Sequence, residues 1–116
     1  MNGIPSLESI QLYNNRISGS IPNSLSSLSN LYMLDLEGNM LTGVLNIEDL
    51  INSSNTLRSL RLSFNSLEGT LTNNLDEFVN LQELWLANNS LSGTIPTKTC
   101  QLRKLSKYLL TSFDIL

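Results

Sequence analysis

Apolar and polar residues follow one another in the same order in four stretches of the chain. The stretches are LESIQLYNNRISGSIP from Leu7, LYMLDLEGNMLTGVLN from Leu31, LRSLRLSFNSLEGTLT from Leu57 and LQELWLANNSLSGTIP from Leu81. Their first residues lie 24, 26 and 24 positions apart. Self-similarity at a nearly fixed period predicts an array of structural repeats that stack on one another.

Each stretch opens with a segment that predicts a β-strand. In the last stretch Leu84 and Leu86 are two residues apart, so a strand over residues 83–87 turns both toward one side. A lone strand with one apolar side cannot bury that side, so successive repeats must stack with parallel strands about 4.8 Å apart. The pattern therefore predicts a parallel sheet whose leucine rows merge into one core.

An asparagine follows every predicted strand, and a glycine recurs four residues after the asparagine. An amide side chain at the turn can satisfy backbone groups that would each cost about 1–3 kcal/mol if buried without a partner. A glycine at a fixed place predicts a left-handed backbone or a close approach between repeats. We interpret both columns as structural. They comprise Asn15, Asn39, Asn65 and Asn89, and Gly19, Gly43, Gly69 and Gly93.

The segments that lead back to the next strand predict short helical turns on the opposite side of the array. Leu25 and Leu28 are three residues apart, and Leu75 and Phe78 repeat that spacing, which fits a 3₁₀ turn. The segment NIEDLINSSNT, residues 46–56, belongs to a return two residues longer than the one before it. It predicts a fuller helical turn on the side where insertions cost least.

The second half of each repeat carries a more specific signal, x-L-x-G-x-I-P, which ends in Ile21-Pro22 and Ile95-Pro96. Together with the L-x-x-L-x-L-x-x-N-x-L half, it resembles the plant-specific class of leucine-rich repeats. That class is found in ectodomains of receptor-like kinases, receptor-like proteins and polygalacturonase-inhibiting proteins. The resemblance extends from residue 7 to about residue 102, which is nearly the whole chain.

The resemblance implies a fold of class α/β, a right-handed leucine-rich-repeat solenoid that forms a short horseshoe arc. It places a parallel β-sheet on the concave face and irregular or 3₁₀ returns on the convex face. It also implies a non-enzymatic module, without cofactor, that binds a protein or peptide as a segment of a receptor-like ectodomain. Two alternatives stay open: an inhibitor of a secreted cell-wall hydrolase, and a truncated relic fragment without its own ligand.

The pattern degrades after Leu105, where three structures compete. A fifth strand at a spacing of 24 places Phe113 in the asparagine column, and a strand displaced by one residue places Asp114 there. Apolar spacings of three and four residues from 102 to 116 also fit an amphipathic helix. We favour a degenerate fifth strand, since the phase of the repeat persists to Leu105, and we predict a single domain over residues 1–116.

Charge and hydropathy limit the partners and the location. The net charge is −3, and residues 1–97 carry three basic and nine acidic side chains, a net −6. An acidic body argues against a nucleic-acid partner. No apolar signal-peptide segment and no run of about 18 apolar residues occurs, so we expect no membrane insertion by this segment. The family resemblance implies an extracellular or cell-surface protein, and we interpret the chain as a piece of a longer ectodomain or a truncated gene product.

Side chains that face away from the predicted core form three rows across the parallel strands. We expect an ion pair between Asp35 and Arg61 and a cation–π contact between Arg61 and Trp85, each worth about 0.5–1 kcal/mol when exposed. These contacts fit lateral stabilisation of the sheet and a ligand-binding hot spot equally well. The candidate ligand-binding residues on the concave face are Tyr13, Asp35, Glu37, Arg61, Glu83 and Trp85. The three rows are Gln11, Asp35, Arg61, Trp85 and Leu109; Ser9, Met33, Ser59, Glu83 and Lys107; and Tyr13, Glu37, Ser63, Ala87 and Thr111.

Other reactive side chains do not predict an enzyme. The chain has no His, so neither a metal site beside Asp35 and Glu37 nor a serine nucleophile has its usual partner, and we expect no catalytic and no metal-binding residues. Cys100 is the single cysteine, which rules out a disulfide within the chain and predicts a small, half-buried structural residue. Two sequons make Asn52 and Asn88 possible glycosylation sites.

Overall fold

The main element of the structure is a five-stranded parallel sheet, one strand from each repeat. The computed structural model describes residues 6–53, 55–71, 73–93 and 107–109. In these residues the sheet has the strand order β1-β3-β5-β7-β9. Its strands are β1 (Ser9–Gln11), β3 (Met33–Asp35), β5 (Ser59–Arg61), β7 (Glu83–Trp85) and β9 (Lys107–Leu109). Every neighbouring pair is parallel, as the repeat pattern predicts.

The strands pair in a register that aligns equivalent residues of successive repeats. Ile10 pairs with Leu34, which pairs with Leu60, and the line continues through Leu84 to Tyr108. β9 therefore occupies the fifth-strand position at a spacing of 24 from β7. The other two structures considered after Leu105, a strand displaced by one residue and an amphipathic helix, do not agree with the observed strand at residues 107–109.

The core combines the inward side chains of these strands with apolar side chains of the turns and returns. Leu34, Leu60 and Leu84 are each at most 1% exposed, and Phe78 on the return side is 1% exposed. The corresponding residue of the first repeat, Ile10, is only partly buried against this core. Burial of one leucine row between two others is what links the stability of each repeat to its neighbours.

The returns contain 3₁₀ segments, as the family resemblance implies. They span Asn23–Ser27, Ile47–Ser53 and Asn73–Glu77. The second has seven residues against five in each of the others, which confirms the fuller turn predicted for the longer return. Its end is held by buried Ser53, whose hydroxyl donates to the backbone oxygen of Leu28 in the preceding repeat.

Short strands follow the asparagine in each of four repeats, and the sequence pattern did not predict them. β2 (Ser18–Gly19) pairs with β4 (Met40–Leu41), and β6 (Glu68–Gly69) pairs with β8 (Ser90–Leu91). These two-residue pairs are also parallel. They place backbone hydrogen bonds on a second side of the solenoid.

All four glycines of the column have positive φ, and Gly69 and Gly93 also approach the preceding repeat closely. Gly69 has φ of +99°, and a Cβ built there would lie 2.9 Å from Cγ1 of Val44 in the preceding repeat. Gly93 has φ of +84° and approaches Thr70 in the same way. A larger residue would be strained by its backbone and would also press on the neighbouring repeat.

The asparagine column links four successive turns through hydrogen bonds. Asn65 donates from Nδ2 to the backbone oxygen of Leu62 in its own repeat at 3.1 Å, and to that of Leu36 in the preceding repeat at 3.0 Å. Its Oδ1 accepts the backbone N–H of Leu41 at 3.0 Å. One amide thus satisfies backbone groups of two adjacent repeats.

Asn39 and Asn89 make the same three kinds of bond at their own positions. Asn15 differs: among the residues that the structure describes, its Nδ2 donates only to Leu12 and Tyr13 of its own repeat, and its side chain is exposed. The column is therefore a ladder whose inner members connect repeats, while Asn15 closes only its own turn.

We expect Asn65→Ala to lower the free energy of unfolding by about 1–3 kcal/mol, because partly buried backbone groups in two repeats lose their partner. Asn15→Ala is the matched control, since the same residue type is removed where no second repeat is bound. Its loss should stay near about 0.5 kcal/mol, the range of surface substitutions. Urea denaturation of both variants measures the difference, and equal losses would contradict the ladder.

Candidate ligand-binding face

The register of the sheet brings the predicted row of polar residues together. Asp35 pairs with Arg61, and Arg61 pairs with Trp85, on three adjacent strands. These side chains project from the face of the sheet opposite the leucine core, because neighbouring strand residues alternate between the two faces. They form the centre of the concave face.

Arg61 is the hub of this face. Its Nη2 donates to Oε1 of Glu83 at 2.9 Å, and its Nη1 lies 3.8 Å from Oδ2 of Asp35. Its Cζ lies 4.3 Å from the centroid of the Trp85 ring, within cation–π range. Ser59 also donates to Oε1 of Glu83, at 2.9 Å.

Both contacts predicted for Arg61 are present, but its closer carboxylate belongs to Glu83, in the neighbouring row. The sequence suggested only Asp35, because that residue lies opposite Arg61 across the strand pair. A long side chain can instead reach diagonally to a residue two positions along the next strand, and Glu83 is such a residue. Which carboxylate is bound depends on side-chain reach and not on register alone.

The exposure of these groups shows a restrained network. Asp35 is 5% exposed, and the side chains of Arg61 and Glu83 are 28% and 15% exposed. Trp85 is half-buried, with the Arg61 guanidinium over its ring. Mutual contact holds these side chains in place, so the lateral-stabilisation interpretation describes at least part of their role.

The rows predicted to face away from the core are not uniformly accessible, and two members of the third row are fully buried. Ser63 and Ala87 are 0% and 1% exposed. The period-two alternation applies only within a strand, and β5 and β7 end at Arg61 and Trp85. In the first two repeats the same row holds larger residues, Tyr13, which is 53% exposed, and half-buried Glu37.

A shallow pocket of about 350 Å³ opens on this face between the first three repeats. Four of the six predicted binding residues, Tyr13, Asp35, Glu37 and Arg61, line it, while Glu83 and Trp85 lie one strand further on. The remaining lining residues are Gln11, Asn14 and Met33. The predicted site is therefore a pocket with an adjoining charged and aromatic shelf.

Glu37 has an unusual electrostatic environment in this pocket. Partial burial is the main factor that raises the pKa of its carboxyl above 4.5, and the nearby Asp35 raises it further. Arg61 acts in the opposite direction but does not cancel these effects. The Glu37 backbone N–H donates to Oδ1 of Asp35 at 3.1 Å, which holds the Asp35 carboxylate against the backbone of Glu37.

Phe64 is an exposed aromatic residue that the sequence interpretation missed. It has φ of +59° and is 57% exposed at the end of β5. Its equivalents Asn14, Gly38 and Asn88 also have positive φ, and Asn and Gly tolerate that conformation far better than Phe. A Phe in a column of Asn and Gly was the available signal.

Two further cavities lie away from this face. An apolar one of about 380 Å³ is lined mainly by side chains of the first two repeats, including Ile10, Leu12 and Leu36. A polar one of about 340 Å³ lies beside the beginning of the strands, near Glu8, Tyr32 and Arg58. Neither contains any of the predicted binding residues.

The other predicted modification and structural sites are only partly covered. Asn88 is exposed beside the asparagine column. Asn52 lies in the second 3₁₀ segment but its side chain is outside the described residues, and so is Cys100. Within the described ranges, no cluster of three or more His, Cys, Asp or Glu side chains is placed to hold a metal ion. No helix in the same ranges has the length and apolar character needed to span a bilayer.

Comparison with known families identifies the repeats. A family model described as Leucine rich repeat matches residues 1–41. A second model of the same description matches residues 56–78 and 80–102. No curated protein matches the chain.

Solved structures of plant receptors are similar to the chain. The Arabidopsis receptor kinase HAESA, in complex with the peptide hormone IDA and the co-receptor SERK1, is 36% identical with a TM-score of 0.91 over 98% of this chain and 19% of that one. The ectodomain of the Arabidopsis thaliana receptor kinase GASSHO1/SCHENGEN3, in complex with CASPARIAN STRIP INTEGRITY FACTOR 2, is 32% identical with a TM-score of 0.87. That match covers 98% of this chain and 13% of the other. The BIR2 ectodomain from Arabidopsis thaliana is 32% identical with a TM-score of 0.82, over 90% and 54%. The chain thus spans about a fifth or less of the two receptor kinases.

We expect Glu37→Gln to be more stable than the wild type at pH 7. A folded-state pKa above the unfolded value means that Glu37 favours folding at low pH and that this contribution is lost as the pH rises through the folded pKa. Removing the carboxyl should therefore raise the free energy of unfolding at pH 7. This gain should disappear below pH 4.5, the ordinary pKa of Glu. Urea denaturation at both pH values tests this, with Glu77→Gln, an exposed carboxylate on a return, as the control. An advantage that persists at low pH would contradict the assignment.

We expect Phe64→Asn to raise the free energy of unfolding by about 1 kcal/mol, because Asn adopts the left-handed backbone at less cost. Phe64→Ala is the control, since it removes the exposed ring but keeps a residue that disfavours positive φ. Thermal and chemical denaturation should rank Phe64→Asn above Phe64→Ala. The reverse order would mean that the ring and not the backbone determines stability at this position.

Proposed function

Because the chain belongs to the plant-type leucine-rich repeat family, we propose that it binds a protein or peptide on its concave face. The role is non-enzymatic recognition within an extracellular receptor-like ectodomain. The binding surface comprises the pocket between the first three repeats and the adjoining shelf. Its residues are Tyr13, Asp35, Glu37, Arg61, Glu83 and Trp85.

The observation that carries this proposal is the restrained hub around Arg61. A binding surface gains affinity when its side chains are already held in place, because less conformational entropy is lost on association. Arg61, Glu83 and Trp85 hold one another through an ion pair and a ring contact and still keep part of their surface exposed. Arg and Trp are also the residue types that most often dominate binding energy.

The solved relatives support the ligand class. HAESA and GASSHO1/SCHENGEN3 are described in complex with a peptide hormone and with a named integrity factor, respectively. Such complexes support a peptide ligand for this chain, while the alternative of a hydrolase-inhibitor role enters the test below.

Trp85→Ala should weaken ligand binding by about 2 kcal/mol or more, because Trp85 is the aromatic anchor of the shelf and positions Arg61. The measurement is a binding screen of secreted plant peptides and cell-wall hydrolases against the full chain and the variant. Val79→Ala, which removes a 51% exposed side chain on the return side, is the control and should bind like the wild type. Thermal melting of both variants verifies that the fold is retained.

Two outcomes would contradict this proposal. Ligands that bind Trp85→Ala normally but lose affinity for Glu48→Gln or Asp49→Asn would locate the binding surface on the convex side. A screen without any ligand would favour the relic fragment. Hydrolases among the hits, with no peptides, would support the inhibitor alternative on the same surface.

A further inference from the structure

The concave face has more negative than positive charge at its centre. Three carboxylates, Asp35, Glu37 and Glu83, surround one guanidinium, that of Arg61, so the cluster carries a net charge of −2 when all four groups are ionised. Arg61 already lies 2.9 Å from Glu83 and 3.8 Å from Asp35. Its charge is therefore largely shared between two of the three carboxylates.

Glu37 is the carboxylate that Arg61 influences only from a distance, without a salt bridge. In the described part of the chain, no hydrogen bond or salt bridge reaches its side-chain oxygens. It nevertheless lies in a pocket wall, partly desolvated and beside Asp35, which raises its pKa. A cation placed in the pocket would compensate both carboxylates and relieve this unfavourable arrangement.

An exposed aromatic side chain also lines this pocket. Tyr13 lines the pocket and is 53% exposed. It belongs to the repeat next to Glu37, because the backbone N–H of Asn14 donates to the backbone oxygen of Glu37 at 2.8 Å. A ring face next to carboxylates is suited to a planar cation, which can stack on the ring and donate to the oxygens at once.

The neighbouring strands already contain this arrangement within the protein itself. The Arg61 guanidinium lies between Trp85, at 4.3 Å from the ring centroid, and Glu83, at 2.9 Å. The pocket also has an aromatic ring and carboxylates in its wall. Arg61 lines it too, but its guanidinium hydrogen-bonds Glu83 and lies beside Asp35, so it forms no ion pair with Glu37. Its volume of about 350 Å³ lies at the lower end of the range for ligand sites and is sufficient for one long side chain.

We propose that the pocket formed by Tyr13, Asp35 and Glu37 is a subsite for the guanidinium of an arginine side chain in the peptide ligand. This inference rests on the proposed peptide-binding function and adds the chemistry of one bound residue. Charge complementarity selects a cation. The flat guanidinium is preferred to an ammonium group because it binds carboxylates with two parallel hydrogen bonds and stacks on tyrosine.

The direct test uses three blocked tripeptides, acetyl-Gly-Xaa-Gly-amide, in which Xaa is arginine, lysine or citrulline. Each is titrated into the ¹⁵N-labelled full chain, and amide chemical shifts report affinity and location. The arginine peptide should shift the amide signals of Glu37 and Gly38. The lysine peptide should bind more weakly than the arginine peptide. The citrulline peptide, whose side chain is uncharged and nearly the same shape, should bind at least about tenfold more weakly than the arginine peptide. Equal binding of arginine and citrulline peptides would overturn the proposal.

Variants separate this subsite from general attraction to an acidic protein. Glu37→Gln should weaken the arginine peptide about fivefold or more, and Tyr13→Leu should weaken it by a smaller factor. Glu77→Gln removes the same charge from an exposed position on a return and should leave binding unchanged. If Glu37→Gln and Glu77→Gln weaken binding equally, the attraction is non-specific and the subsite does not exist.

Failure of this inference can be told from failure of the proposed function. A Trp85-dependent ligand without a positive charge, together with no shift from the arginine tripeptide, would reject the subsite and leave the binding function intact. Specific binding of the arginine tripeptide, with no protein or peptide found in the screen, would support the subsite and reject the larger binding function.

Discussion

The asparagine ladder is the interaction on which the rest of this structure depends. Each inner member, such as Asn65, binds backbone groups of its own repeat and of the repeat before it. The turn out of the strand could not be buried without those bonds, since unpaired backbone groups are costly away from water. Because the ladder sets how one repeat lies on the next, it also sets the register in which the leucine rows form the core.

The same register determines what the concave face can do. It aligns Asp35, Arg61 and Trp85 across three strands, and side-chain reach adds Glu83. Mutual pairing then fixes this group in one arrangement, so stabilisation of the sheet and preparation of a binding surface are consequences of the same contacts. Glu37 is the exception, because it shares the face but not the pairing.

The turn after each strand contains one position with a left-handed backbone, which some residue types tolerate better than others. Four equivalent residues have left-handed backbone, and in three of them the residue type suits it, whereas Phe64 does not. Strained residues persist where the surrounding hydrogen bonds over-determine the backbone, as the Phe64 N–H bonded to Ala87 at 3.0 Å illustrates. The exposed ring at this position lies beside the face that we propose binds the ligand.

The sequence by itself determined the repeat period, the parallel strands, the 3₁₀ returns, and the close approach or positive φ at the glycine column. These features follow from backbone requirements that recur in every repeat, so a single chain contains several independent copies of the same signal. The proximity of Asp35, Arg61 and Trp85 was also predictable, because it depends only on register. The tertiary structure alone decided that Arg61 binds Glu83 most closely, that Ser63 and Ala87 are buried, and that Phe64 is strained and exposed. Those outcomes depend on how far a particular side chain reaches and on where a strand ends and its turn begins, and neither is written in the repeat consensus.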